Sequence, residues 1–132
     1  GGAQGMDIMA AEIVLDLKKE YPDLTLEIAV PFEDQAGTWP DEYRARWQRC
    51  IDEADMITVV SHEYTKQCLF ARNRYMVQQA DLLLACYDGQ EGGTKMTIDY
   101  ATMIDEITML GEKTGVQIKC QKEEIFDKMH RI

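Results

Sequence analysis

Basic charge is what this chain of 132 residues has least of. Fourteen lysines and arginines stand against 24 aspartates and glutamates, for a net charge of −10. A protein that grips a nucleic-acid backbone needs clustered Lys and Arg, so nucleic acid is not an expected partner. Long apolar runs are lacking too. None approaches the roughly 20 residues needed to cross a bilayer, and no signal peptide is legible, so no membrane association is expected. Cys50, Cys68, Cys86 and Cys120 form no C-x-x-C pair, and His62 and His130 show no ligand spacing with them. That argues against a zinc site, and no metal is expected. Reduced thiols in a cytoplasmic protein are the expectation instead. With no internal repeat, low-complexity tract or linker, and 45% apolar residues, residues 1–132 are read as a single domain.

The charge is unevenly spread. Residues 44–74 hold six bases and four acids, a balance of +2, which leaves −12 for the remainder. An acidic shell around a mildly basic belt suits a small anionic ligand better than a long polyanion. Two solvated helix faces would give the same pattern.

Hydrophobic periodicity and punctuation alternate helix with strand. Met6, Met9, Ala10, Ile13, Val14 and Leu17 recur at helical spacing and predict an amphipathic helix from Met6 to about Tyr21. Leu24–Val30 reads as a strand that stops at Pro31, and a ten-residue connection leads to a helix opening at Pro40-Asp41. That helix runs to about Ala54, followed by a short apolar strand, Met56–Val60, of the kind buried in parallel sheets. A helix is predicted over Ala71–Gln79, the most hydrophobic strand over Leu82–Tyr87, and a helix over Lys95–Leu110. Val116–Cys120 and Lys122–His130 are read as a last strand and helix. The pattern predicts an α/β fold: Rossmann-like, doubly wound, mainly parallel, with helices on both faces.

Two glycine loops precede helices in this pattern, Gly1–Gly5 and Gly89–Thr94. Glycines ahead of a helix let the backbone approach an anion, which the free N–H groups and the positive end of the dipole hold. Such a loop normally follows a strand. The opening Gly-Gly-Ala is therefore read as the end of a unit whose first strand and helix are missing, a cloning remnant being the competing explanation. Loops at the carboxyl ends of parallel strands gather at one edge, so both loops are expected to face the same crevice. Gly1, Gly2, Gly5, Gly92, Gly93, Thr94 and Thr97 are the expected ligand-binding residues there, although Thr94 by itself reads equally as an N-cap. Arg72, Asn73 and Arg74 join them: Arg grips phosphate through a bidentate fork, and Asn offers both donor and acceptor. Ordinary ion pairs at a solvated helix end are the alternative for these three.

Several segments together resemble the YpsA-like family of the SLOG superfamily of Rossmann-like ligand-binding domains. They are Gly2-Ala3-Gln4-Gly5-Met6-Asp7, Val30-Pro31-Phe32-Glu33, Trp39-Pro40, Tyr64-Thr65, Arg72-Asn73-Arg74-Tyr75-Met76-Val77, Ala80-Asp81-Leu82-Leu83 and Asp88-Gly89 with Gly92-Gly93-Thr94. The similarity extends to about Ala101. The resemblance implies a strand and helix ahead of the first glycine loop. Two groups of relatives imply different chemistry. The LOG phosphoribohydrolases carry an Arg-Lys pair and a Pro-Gly-Gly-x-Gly-Thr-x-x-Glu loop; laid over this chain, Arg72 meets their arginine and Asp99 falls near their catalytic Glu. Asn73 stands in place of their lysine and Lys95 in place of their third glycine. DprA-like proteins, which bind single-stranded DNA, resemble the opening loop, but the −10 charge opposes that role.

The sequence therefore points to a domain that binds or senses a nucleotide or nucleotide-derived phosphate, with no further cofactor. The alternative is a nucleoside monophosphate phosphoribohydrolase with Asp99 as its catalytic carboxylate. Tyr43 and Trp47 make helix Asp41–Ala54 the candidate homodimer surface, since aromatic residues and Arg are enriched at interface cores. Packing of both rings within their own chain is the competing expectation.

Overall fold

The computed structural model describes residues 1–114, with side chains to residue 104. It is an α/β, Rossmann-like fold that divides into two compact units at Arg72 and Asn73.

The first unit is a helix followed by a β–α–β element. Its parts are α1 (Met6–Leu17), β1 (Glu27–Val30), α2 (Asp41–Glu53) and β2 (Met56–Val59). The strands pair in parallel, with Glu27 opposite Met56 and Val30 opposite Val59. β1 begins three residues later than Leu24 because Leu26 has other commitments. Its N–H donates to Asp55 Oδ2 (2.7 Å), and its carbonyl accepts from the N–H groups of both Asp55 and Met56. The regular ladder starts beyond that knot. Lys18 at the end of α1 reaches the same Asp55 oxygen, so one carboxylate ties the exit of α1 to the entry of β1.

The core of this unit joins Ile8, Ala11 and Leu15 of α1 to Leu26, Ile28, Val30 and Cys50. It corrects the expected apolar stripe. Met6, Met9, Ile13 and Leu17 lie outward, and Ile13 is 57% exposed against 2% for Ile8. α1 carries apolar residues on nearly every face, so periodicity alone could not select the buried one. β2 differs from expectation as well: Met56, Ile57 and Val59 are exposed, because among the described residues β2 pairs only with β1. Tyr43 and Trp47 are half-buried against the core of their own unit. Glu12 of α1 and Arg46 of α2 form a two-bond fork (2.8 and 2.7 Å) between the helices.

The division between units falls within α3 (Cys68–Gln79), which starts three residues earlier than expected. Arg72, Asn73 and Arg74 therefore sit in its second turn rather than at its start. In the second unit, α4 (Gly93–Thr114) places Tyr100 and Ala101 against Val77, with Leu83 and Ile104 packed around them. Leu82–Tyr87 forms no strand, and Leu84 is 77% exposed. A strand exists only through a neighbour that takes up its N–H and C=O groups, and no described residues of this unit supply one. The expected elements Val116–Cys120 and Lys122–His130 lie outside the described residues.

Candidate functional site

The first glycine loop enters α1 through Gly5, whose φ of +84° and ψ of −122° suit glycine alone. Gly5 is exposed and has open space around its α-carbon. Gly2, by contrast, is buried: a Cβ there would lie 3.1 Å from the Ile28 side chain. Close approach to β1, not backbone freedom, is what requires glycine at that position.

The first turn of α1 carries a carboxylate of its own. Asp7, in the first turn, accepts the Ala3 N–H at 2.9 Å and pairs with Arg72 Nη1 at 3.3 Å through the same Oδ2. A Cβ on Gly1 would collide with Asp7 and lie 2.6 Å from Arg72 Nη1. The loop thus packs directly over an ion pair. Arg72 is only 6% exposed, and its Nε has no hydrogen-bond partner. Burial lowers the guanidinium pKa from its ordinary value, while Asp7 opposes that shift. Of the expected site residues in this unit, Gly1 and Arg72 come together at Asp7, Gly2 lies instead against Ile28, Gln35 and Trp47, and Gly5 stands at the open mouth of the helix.

Two polar groups that the sequence did not assign to the ligand site, one of them on Trp47 of the candidate dimer surface, also adjoin this loop. Gln35 Oε1 and Trp47 Nε1 are buried without partners, and each lies 3.5 Å from the Cβ position of Gly2. Gln35 belongs to the Pro31–Pro40 connection, which is held by a series of turns: Gln35 N–H to Phe32 O, Gly37 N–H to Asp34 O and Trp39 N–H to Ala36 O. Nothing in its local sequence marks Gln35 as buried. On the same loop, Glu33 meets the exposed His62 Nδ1 at 2.6 Å, and Phe32 meets Tyr64 edge-on.

In the second unit, the Gly89–Thr94 loop turns at Gly89 (φ +88°), and Asp88 Oδ1 accepts the Gln90 N–H. It delivers α4 with no acidic residue in the first turn, the opposite of α1. Gly92, Gly93 and Thr94 are exposed there. Asn73 donates weakly to Gly93 O (3.5 Å). Thr97 is buried, and its hydroxyl donates to the same carbonyl at 2.8 Å. Asn73, Gly93 and Thr97 therefore form one group. Arg74 is turned onto the face of Tyr100, 5.1 Å from its centroid. Both carboxylate oxygens of the exposed Asp99 pair with Lys95 Nζ, at 2.8 and 2.6 Å, which raises the lysine pKa.

Cys50 and Cys68 are buried free thiols and Cys86 is an exposed one. Burial pushes the Cys50 thiol pKa up, as suits an inert packing residue. Among the described residues, no helix is long and apolar enough to cross a membrane.

Similar sequences are found among bacilli. A UPF0398 protein of Bacillus pumilus (strain SAFR-032) is 34% identical over 95 residues, which cover 70% of this chain and 51% of that protein. UPF0398 proteins of Bacillus cereus (strain B4264) and Bacillus thuringiensis (strain Al Hakam) are each 30% identical over 109 residues, covering 80% of this chain and 59% of theirs. The chain thus spans little more than half the length of the curated relatives it matches. The YpsA family model, described as the YspA SLOG family, matches residues 1–120. The chain belongs to the YpsA family of SLOG domains.

Proposed function

We propose that this domain binds or senses a nucleotide or nucleotide-derived phosphate through the Gly1–Gly5 loop and Arg72. The observation that carries the reading is Arg72 itself. A guanidinium this buried, with a single long bond to Asp7 and an unpartnered Nε, is a costly arrangement. The Nε side of the fork is the geometry that accepts a phosphate. Membership of a SLOG family agrees with a nucleotide-related ligand. The second glycine loop, taken by itself, supports the same chemistry. Its helix starts without an internal carboxylate, leaving the N–H groups near Gly92, Gly93 and Thr94 to an external anion. The free thiols fit a cytoplasmic setting, and a homodimer remains part of the reading.

The test is calorimetric titration with nucleoside monophosphates. Binding is expected in the wild type, and Arg72→Met should weaken it by about tenfold or more, as expected for loss of a charge-assisted bond. Full affinity in the variant would remove Arg72 from the site.

Phosphoribohydrolase chemistry is the second reading, with Asp99 as the acid. The Lys95–Asp99 pair favours binding without turnover, since this carboxylate is already engaged one helical turn away. Incubation with nucleoside monophosphates should release no free base. Release that disappears in Asp99→Asn would reverse the assignment, because a catalytic carboxylate contributes about 10²–10⁴-fold.

A further inference from the structure

Among the described residues, three buried side-chain polar atoms lack partners, Gln35 Oε1, Trp47 Nε1 and Arg72 Nε, and they belong to residues that border one short segment, Gly1–Gly2. Native interiors leave few such atoms unpaired, and a cluster of them calls for an occupant. Gln35 is 8% exposed and Arg72 6%, so bulk water does not satisfy them. The orphans also differ in kind. One is a carbonyl oxygen that accepts; another is an indole N–H that donates; both neighbour Gly2. Each is held by its surroundings. The backbone of Gln35 is held by its turn to Phe32, and the Trp47 ring by edge-on packing against Trp39 at 6.2 Å.

The Gln35 amide carries both a donor and an acceptor, and a phosphate, which offers only acceptors, would leave the amide oxygen unpaired. A planar edge carrying an N–H beside an acceptor satisfies both groups at once, and that is the edge by which a nucleobase is read. We infer that Gln35 and Trp47 are the base-reading part of the ligand site, taking the donor–acceptor edge of a nucleobase beside Gly2. This rests on the nucleotide-binding reading and adds its specificity element.

The experiment is calorimetric titration of the 132-residue chain with AMP, GMP, UMP, CMP and ribose 5-phosphate. At least one nucleotide should bind about tenfold or more tighter than ribose 5-phosphate. Trp47→Phe, which keeps a ring without the N–H, and Gln35→Met should each remove about tenfold of nucleotide affinity, and leave ribose 5-phosphate within about twofold. A second readout does not depend on those variants folding. The chain has two tryptophans, so in Trp39→Phe the emission belongs to Trp47 alone. It should shift with nucleotide and stay unchanged with ribose 5-phosphate. Equal affinity for nucleotides and ribose 5-phosphate overturns the inference, as does unaltered nucleotide binding in both variants, which would mean that trapped water satisfies these atoms. An unshifted Trp47 emission on nucleotide binding overturns it as well. If nothing binds the wild type, the nucleotide reading itself falls, and the inference falls with it.

Discussion

Removing the charge of Asp7 should damage this protein more than removing its partner Arg72. The side chain of Arg72 is 7% exposed and that of Asp7 32%, with the two 3.3 Å apart. Asp7→Asn strands a buried guanidinium without its counter-charge. Breaking a fully buried pair this way costs about 3–5 kcal/mol. Water reaches the Asp7 side, so screening reduces the figure to roughly 2–3 kcal/mol. Arg72→Met gives up a charged hydrogen bond, about 1.5–3 kcal/mol, but also removes an orphaned N–H whose burial costs about 1–3 kcal/mol. The two nearly cancel, leaving a change within about 1 kcal/mol. Urea unfolding followed by Trp39 and Trp47 emission resolves the difference. With slopes of about 1–3 kcal/mol per molar urea, the Asp7→Asn midpoint should fall by roughly 1–2 M, and the Arg72→Met midpoint by far less. The double variant should recover most of the loss. Phosphate binding should run the other way, strengthened in Asp7→Asn, where the fork is released, and weakened in Arg72→Met. If Arg72→Met is the more destabilising change, the pair is a structural brace and the argument that Arg72 is held for a ligand collapses.

The inverted face of α1 predicts that Ile8→Ala costs about 2–5 kcal/mol by emptying a core position, whereas Ile13→Ala stays within about 0.5 kcal/mol; comparable losses in thermal or urea unfolding would refute the assigned face. Gly5→Ala should cost about 1–3 kcal/mol, because its φ and ψ lie where side chains are strained. Gly92→Ala, where a Cβ meets nothing within 4 Å, should be close to neutral in the same unfolding assay. The carboxylates of Glu12 and Asp55 are held below their ordinary pKa by hydrogen bonds, from Arg46 to Glu12 and from Lys18 and the Leu26 N–H to Asp55. Groups depressed in the folded state stabilise it above their unfolded pKa and lose that contribution as pH falls through the folded one. Thermal stability should therefore hold from neutral pH to about 5 and decline below about 4. Glu12→Gln should flatten the decline, and an acid limb unchanged in that variant would show that the Arg46 pair contributes nothing.

Sequence alone was enough for the elements whose causes are local. Pro40 and Asp41 start α2 where proline is allowed and an acid favoured, Gly5 opens α1, and β1 stops at Pro31; none of these depends on a distant residue. The glycine loops and the Arg-Asn-Arg run were legible for the same reason, as residue types with distinct backbone or charge behaviour. Tertiary structure decided everything that needs a neighbour. It turned Ile8, Ala11 and Leu15 inward on a helix that is apolar nearly all round, and it left Leu82–Tyr87 without a ladder. It also set Asp7 against Arg72 across 65 positions of sequence, and buried Gln35 and Trp47 beside Gly2. Backbone preference is a property of a residue and its immediate neighbours. Burial, ion pairing and an unpaired polar atom are properties of two surfaces that meet, and the identity of the second surface is not written in the local sequence of the first.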